Sequence, residues 1–367
     1  MKKVFALFCT GVMLLSVLVV PAFATSSIEN QVLEEVVSLY SDYYYISDAN
    51  AEIISSTQNN DGSITYLINT SFSRTLKETS AYDLPFIQGL IEAKDALSDP
   101  IGIASAEQYI NFWLKELEDN YIGTAQPTNA TFSITCQPFN RLYAYEPAAL
   151  DVIMYYDPFS GGTYSAEELR PKSNAELKAE GVGVIAEVTS SANMESMQIA
   201  SAQRTYTYYR TMAISYARQW SCNSGSIDDH ATCHNPSYDF IPGNDCANFV
   251  SQCLYAGGIS IDGVWYPENG SSSAWYTTGN NGNGLRQYVV NSLGFYHTGI
   301  ATRAVAGSII NKLTSSGSNA GHVGLVDQND TRVSTLCAHT RCQSSAPFST
   351  FVNYDFYTPE LLSPPEM

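Results

Sequence analysis

Apolar residues recur at helical spacing in several stretches of the chain and predict amphipathic helices. One stripe runs from Ile28 to Tyr44, and a second surrounds Trp113 after a predicted cap at Ser105. A third helix is expected from about Ala200 to Trp220. Its predicted buried face consists of Tyr206, Tyr209, Met212, Ala213, Tyr216, Ala217 and Trp220.

Shorter apolar runs lie between these stripes and have the length of strands. The Asn-Asp-Gly triplet at residues 60–62 predicts a hairpin turn, because glycine adopts the positive φ angles that such turns need. Alternating Ile64, Tyr66 and Ile68 follow it as a strand. Further strands are expected at residues 131–136, 150–156 and 182–188. Helices mixed with short strands predict an α+β fold.

One more helix is predicted to begin at Cys246 and to end at Gly257 and Gly258. Its apolar positions are Cys246, Phe249, Val250, Cys253 and Leu254, and Asn244 or Asp245 is the expected cap. Cys246 then lies in the first turn, where unpaired N–H groups and the helix dipole favour a thiolate. This position suits a cysteine nucleophile, although a buried apolar thiol or half of a disulfide is an equal alternative.

Near the end of the chain, residues 321–327 predict a strand, residues 328–331 a turn, and residues 332–340 a returning strand. If Asp327 pairs with Arg332, His322 lies opposite Cys337 and His339 lies diagonally on the same face. The two histidines would then meet on one face of a sheet. The remaining histidines have no comparable context and are His230, His234 and His297.

Residues 1–24 have the organisation of a secretory signal peptide. Lys2 and Lys3 precede an apolar run, and Ala22-Phe-Ala24 forms a small-residue cleavage site. The mature protein is expected to start at Thr25 and to be secreted, without stable membrane insertion. An uncleaved membrane anchor is the alternative, which the short apolar run disfavours.

The 367-residue length suits two domains, and the charge changes near residue 195. Residues 25–195 hold 25 acidic and 8 basic residues, whereas residues 196–367 hold 11 acidic and 8 basic residues. We therefore expect an acidic α+β accessory domain over 25–195 and a second domain over 196–367. Such an acidic protein is not expected to bind nucleic acid or anionic lipid. The first domain carries no recognisable chemistry and could bind a ligand, cover a site as a propeptide, or act as a spacer.

Seven cysteines remain after Cys9 leaves with the signal peptide, so at least one thiol is unpaired. Cys222 with Cys233 and Cys337 with Cys342 are candidate local disulfides. A zinc site is a weaker alternative, because its spacing matches no standard pattern. Its ligands would be Cys222, His230, Cys233 and His234.

The loops beyond Gly258 carry Trp265 and Trp275. Aromatic residues on long loops often line substrate grooves, so both are candidate substrate-binding residues. Loops pinned to the core by a buried tryptophan are an equally good interpretation.

Several motifs together resemble a secreted amidase-domain family of bacteria. They are the Asp-Cys-Ala-Asn-Phe-Val-Ser-Gln run at 245–252, the segments 209–220 and 235–238, Ser-Ala-Trp at 273–275, Gly-His-Val at 321–323 and Ala-His-Thr at 338–340. This family is similar to the papain-like cysteine hydrolases of the NlpC and CHAP types, in which a nucleophile helix packs on an antiparallel sheet. The resemblance covers about residues 200–350.

The resemblance implies that Cys246 is the nucleophile, His322 the general base and His339 the residue that orients His322. Asp245 matches a position that holds a substrate amine in related cell-wall peptidases. No metal or organic cofactor is implied, and the implied substrate is an amide bond of peptidoglycan or of a cell-wall peptide. Ala247, and Ser308 after Gly307, depart from the family pattern and concern substrate recognition. A catalytically silent cell-surface binding protein on the same fold is the alternative function.

Overall fold

The computed structural model describes residues 27–136, 153–157, 159–189, 206–222, 233–267, 283–313, 319–348 and 354–359. The signal peptide, His230 and Trp275 lie outside these ranges. The described helices are α1 Ile28–Tyr40, α2 Pro85–Asp95, α3 Pro100–Asn120, α4 Asn174–Val188, α5 Arg210–Gln219, α6 Cys246–Ala256 and α7 Asn283–Asn291. The described strands are β1 Tyr44–Gln58, β2 Ile64–Leu76, β3 Gln126–Cys136, β4 Ile153–Asp157, β5 Gly162–Ser165, β6 Tyr296–Thr298, β7 Ile309–Leu313, β8 Asn319–Asn329, β9 Ser334–Ala338, β10 Gln343–Pro347 and β11 Tyr354–Thr358.

The fold is α+β, with two antiparallel sheets. The first sheet has the order β1-β2-β3-β4-β5, and its helices share one core with it, centred on Trp113 and Phe132. The predicted hairpin is present, since Gly62 has a φ of 85° and the Asp61 carboxylate accepts hydrogen bonds from Ser63. Among the described helices, none is long and apolar enough to cross a membrane.

Two predictions for the first half were wrong. Residues 182–188 form the end of helix α4 rather than a strand, because a capping box of Ser173 and Glu176 starts a helix upstream of the apolar run. Helix α3 begins at Pro100 with Asp99 as its cap, so Ser105 lies inside the helix. In both cases the helix begins at a capping residue that lies upstream of the apolar residues used for the prediction.

The second sheet has the order β10-β9-β8-β7-β11-β6, and helix α6 packs on one of its faces. Val323, Leu325 and Cys337 line this face with Phe249 and Val250 of the helix. The opposite face carries Ile310, Val326 and Leu336, and Phe159 from the first half of the chain packs into it. We refer to these as the helix face and the Phe159 face.

The predicted helix from Ala200 to Trp220 is shorter than expected. Helix α5 spans Arg210–Gln219, while residues 200–205 lie outside the described ranges. Ala213 and Ala217 are buried as predicted, but Tyr209 and Met212 are exposed. The helix therefore buries only a narrow stripe against its neighbours.

The register of β8 and β9 differs from the predicted one. Leu325, rather than His322, lies opposite Cys337, and the pairing is interrupted at Asp327. The pairing is shifted by three residues relative to the prediction. Because side chains alternate between the two faces along a strand, an odd shift puts each side chain on the face opposite to the predicted one. His322 and His339 consequently lie on opposite faces of the sheet.

Buried ion pairs join the two halves of the chain. Arg74 of β2 bonds to Asp330, between β8 and β9, and both side chains are almost fully buried. Arg210 of α5 forms two hydrogen bonds with Glu116 of α3, at 2.6 and 2.8 Å. The turn between β4 and β5 adds Phe159, and Lys312 donates to the carbonyl of Ser160.

Candidate active site

Cys246 is the first residue of helix α6, as predicted, and its side chain is 4% exposed. Its Sγ atom lies 3.8 Å from the carbonyl oxygen of Gly321, so the thiol is next to the backbone of β8. Burial raises the pKa of the Cys246 thiol; backbone N–H groups of Val323 and Ala247 and the Thr340 hydroxyl oppose this rise. The Ala247 N–H at the helix N-terminus acts in the predicted direction, but burial outweighs it, so the net shift of the pKa is opposite to the predicted one.

Asp245 does not cap helix α6 with its side chain. Its Oδ1 atom accepts hydrogen bonds from the Ile241 backbone at 3.0 Å and from Asn248 at 2.6 Å. Its Oδ2 atom lies 2.6 Å from Nδ1 of His339, and the carboxylate is 1% exposed. A buried carboxylate with three protein partners is not available to a substrate amine, which corrects its predicted substrate-binding role.

His339 lies on the helix face, where its ring stacks on Phe249 at a centroid distance of 4.0 Å. Its Nε2 atom is 2.6 Å from the carbonyl oxygen of Trp220, while Nδ1 faces Asp245. A carbonyl oxygen can only accept, so Nε2–H donates to Trp220 while Nδ1 is directed at the Asp245 carboxylate. With both nitrogens bonded in this way, His339 does not orient His322 here, contrary to the prediction.

His322 lies on the Phe159 face, away from the Cys246 thiol. Its ring is 4.5 Å from the ring of Phe159, and its Nε2 atom is buried without a hydrogen-bond partner. Burial, together with the positive charges of Arg341 and Lys312, lowers the pKa of His322 to about 3. In the described part of the chain, no hydrogen bond joins the Cys246 thiol to either histidine.

The backbone of His322 is nevertheless close to the thiol. The Gly321 carbonyl that approaches Cys246 is bonded directly to the His322 nitrogen, and the Val323 N–H also points at the sulfur. Gly321 has a φ of 74°, a conformation that glycine adopts without strain. The His322 ring is kept from the thiol because it lies on the Phe159 face of the sheet, whereas Cys246 lies on the helix face.

Trp265 is fully buried and belongs to the core. Its ring stacks on Tyr288 at 5.4 Å, and its indole N–H donates to Ser251 at 3.2 Å. The predicted substrate-binding role of Trp265 is therefore replaced by the alternative, a loop pinned by a buried tryptophan. Trp275 lies outside the described residues.

Sequence reasoning missed a chain of polar hydrogen bonds behind helix α6. Asn248 accepts a hydrogen bond from Gln252 at 2.8 Å, and Gln252 accepts one from the Tyr216 hydroxyl at 2.7 Å. Asn235 donates to the same hydroxyl at 3.0 Å. The signal was present, since asparagine and glutamine four residues apart share one helix face. These polar residues of the motif hold helix α6 to helix α5.

The cysteines form one disulfide among the described residues, between Cys222 and Cys233. The other predicted disulfide was wrong, because Cys337 faces helix α6 whereas Cys342 lies beside the Cys222–Cys233 bond. The disulfide also removes two ligands of the alternative zinc site. Cys246 is a free thiol.

Comparison with known protein families finds a similarity in the second half of the chain. Residues 207–357 match the family described as "Putative amidase domain". The matched stretch contains Cys246, His322 and His339 and covers less than half of the chain. The match indicates a hydrolase that acts on C–N bonds. No curated protein and no solved structure matches the chain.

Proposed function

We propose that the protein is an exported cysteine amidase of papain-like type in which Cys246 attacks an amide carbonyl. One observation carries this proposal: a free thiol occupies the first turn of a helix within the amidase domain, with two backbone N–H groups directed at it. Those donors, from Ala247 and Val323, are available to an oxyanion that forms next to the sulfur.

The reaction requires a base for the thiol proton and an acid for the leaving amine. We assign both roles to His322, whose backbone already adjoins the thiol. The Cys246 thiolate forms a thioester with the acyl group, the amine leaves with the proton from His322, and water then releases the acid. His339, held by Asp245 and the Trp220 carbonyl, fixes the start of the helix.

The described conformation is, on this proposal, a resting state. The thiol is protonated, and the His322 ring packs against Phe159 instead of the sulfur. Activation requires the ring to move to the helix face, with Gly321 as the residue that absorbs the backbone change.

The proposed substrate is a peptide bond of peptidoglycan or of a cell-wall peptide. The predicted signal peptide places the protein outside the cytoplasm, and the family resemblance is to cell-wall hydrolases. The excess of acidic residues argues against nucleic acid and anionic lipid as partners.

Purified mature protein incubated with peptidoglycan tests the proposal. We expect new free amino groups and soluble fragments, with a loss of at least about 1,000-fold for Cys246→Ala. His322→Asn should be equally inactive. Cys136→Ala, which removes a thiol from strand β3 of the first sheet, should retain full activity. Activity that survives Cys246→Ala would refute the assigned nucleophile.

The alternative, a silent binding protein, is favoured by the buried Cys246 thiol, which makes no hydrogen bond to a histidine among the described residues. Co-sedimentation with peptidoglycan separates the two functions. Binding by wild type and Cys246→Ala alike, without fragments from either, would support the binding protein and contradict the hydrolase.

A further inference from the structure

Three cysteines meet about the Trp220 end of helix α5. The sulfur atoms of Cys222, Cys233 and Cys342 all lie within 4.8 Å of one another. Cys222 and Cys233 are joined as a disulfide, and Cys342 is a buried free thiol. The mechanism proposed above uses none of these residues.

The environment of Cys342 directs its sulfur toward Cys222. The backbone N–H of Cys222 donates to the Cys342 sulfur at 3.0 Å, which brings the two residues into direct contact. Burial has the largest effect on this thiol and raises the pKa of Cys342 to about 12, while the hydrogen bond from Cys222 favours the thiolate and opposes that rise. The third thiol and the disulfide are thereby held together by the fold, so a reaction between them is intramolecular.

We propose that Cys222, Cys233 and Cys342 form a thiol–disulfide exchange site. The Cys342 thiolate attacks the Cys222 sulfur, the Cys222–Cys342 bond forms, and the Cys222–Cys233 bond breaks. Cys233 leaves as a thiolate and takes up the proton that Cys342 has lost. The number of disulfides and of free thiols is unchanged, so the step needs no external oxidant or reductant.

Exchange would change the covalent connection at the candidate active site. The Cys222–Cys233 bond links two residues that are 11 positions apart in the chain. The Cys222–Cys342 bond would instead join the two segments that already meet through His339 and the Trp220 carbonyl. The new bond would hold these two segments together covalently beside that hydrogen bond. Cys222 lies two residues from Trp220, and Cys342 lies three residues from His339.

Disulfide mapping of the native full-length mature protein tests the exchange. The protein is equilibrated with reduced and oxidised glutathione, quenched in acid, alkylated under denaturing conditions and digested for mass spectrometry. We expect peptides linked through Cys222–Cys342 beside those linked through Cys222–Cys233, with alkylated Cys233 rising as the former appears. A map that contains only Cys222–Cys233 at every glutathione ratio would overturn the proposal.

Two variants sharpen the test without any activity measurement. In Cys233→Ser, oxidised glutathione should produce the Cys222–Cys342 bond in the folded protein, seen as the loss of two hydrogens in mass. Cys136→Ser, a substitution in strand β3 of the first sheet, should leave the wild-type map unchanged. Failure of Cys233→Ser to form the bond, with a native circular dichroism spectrum, would also overturn the proposal. Because the readout is the bond itself, its outcome is separate from that of the amidase assay.

Discussion

The Cys246 thiol is subject to opposing effects at the residue scale. Burial favours the neutral thiol, whereas nearby N–H groups and a hydroxyl favour the thiolate, and burial has the larger effect. A nucleophile that is mostly protonated reacts slowly until a base reaches it. On the proposed mechanism, the reactivity of Cys246 therefore depends on where the His322 ring lies.

Alkylation of the resting protein should show this protection. At neutral pH, iodoacetamide is expected to label Cys246 more slowly than the half-exposed Cys136, and the Cys246 rate should rise with pH as the thiolate forms. Peptide mass spectrometry gives both rates from one sample. Faster labelling of Cys246 than of Cys136 at neutral pH would contradict the resting state.

His322 should make the folded protein less stable in mild acid. Its pKa is lowered in the folded state, so the unfolded chain binds the proton more tightly, and stability is lost as pH falls from about 6.5 toward 3. Between pH 7 and 5 this amounts to at most about 2 kcal/mol.

Urea unfolding at the two pH values measures this effect. His322→Gln should reduce the loss of stability between pH 7 and 5, whereas His297→Gln, at a half-exposed histidine paired with Asp355, should alter it less. An equal pH dependence in wild type and His322→Gln would show that His322 is not buried as a neutral ring.

The sequence predicts the place of a residue in its helix or strand where the local pattern alone determines it. Cys246 begins its helix because apolar spacing and the following glycines fix the helix, whatever surrounds it. The partners of Asp245 and His339 could not be predicted, because they come from residues about 100 positions apart in the chain. Burial of Trp265 likewise depends on helix α7, which the sequence pattern did not indicate.

At the scale of elements, the register of β8 and β9 decides which face each histidine occupies. The buried Asp327 carboxylate accepts hydrogen bonds from Thr335 at 2.5 Å, Ser345 at 2.7 Å and Arg218 at 2.9 Å. With these partners Asp327 does not pair with a residue of β9, and the β8–β9 register shifts between Val326 and Gln328. A prediction that pairs the two strands from their turn alone has no access to Arg218 or Ser345.

Helices α2 and α4 cross closely at glycines. A Cβ atom on Gly181 would lie 2.3 Å from the carbonyl oxygen of Phe86, whereas one on Gly183 would have no atom within 4 Å. Gly181→Ala should therefore destabilise the protein by about 2 kcal/mol, while Gly183→Ala should stabilise it by about 0.5–1 kcal/mol.

Thermal unfolding of the two alanine variants provides the measurement. Because both sites lie in α4, the difference between them isolates the helix contact from helix propensity. Equal effects of the two substitutions would mean that α2 and α4 are farther apart than described.

On the scale of the whole molecule, the two halves depend on each other's charges. Arg74 is fully buried and bonds to Asp330, to Gln328 at 2.8 Å and to Thr128 at 2.8 Å. The Tyr44 hydroxyl also donates to Asp330, at 3.0 Å. Removing Arg74 would leave a buried carboxylate without its counter-ion.

Arg74→Met is therefore expected to destabilise the protein by about 3–5 kcal/mol. Lys115→Met, which removes an exposed ion pair with Asp119, should cost less than about 0.5 kcal/mol. Urea unfolding followed by tryptophan fluorescence and by circular dichroism should show coincident single transitions for wild type. Separate transitions for the two halves would refute their coupling.

The ion pair between Arg74 and Asp330 also determines whether the second half of the chain can be separated from the first. The stretch that matches the amidase family starts at residue 207, so it includes the carboxylate but not the arginine. Transplanting this stretch into another protein would expose Asp330, the Phe159 face and the carbonyl groups that now accept from the first half. A boundary drawn by sequence similarity thus cuts through a continuous interior, and the transplanted portion would need substitutions along that cut to remain soluble.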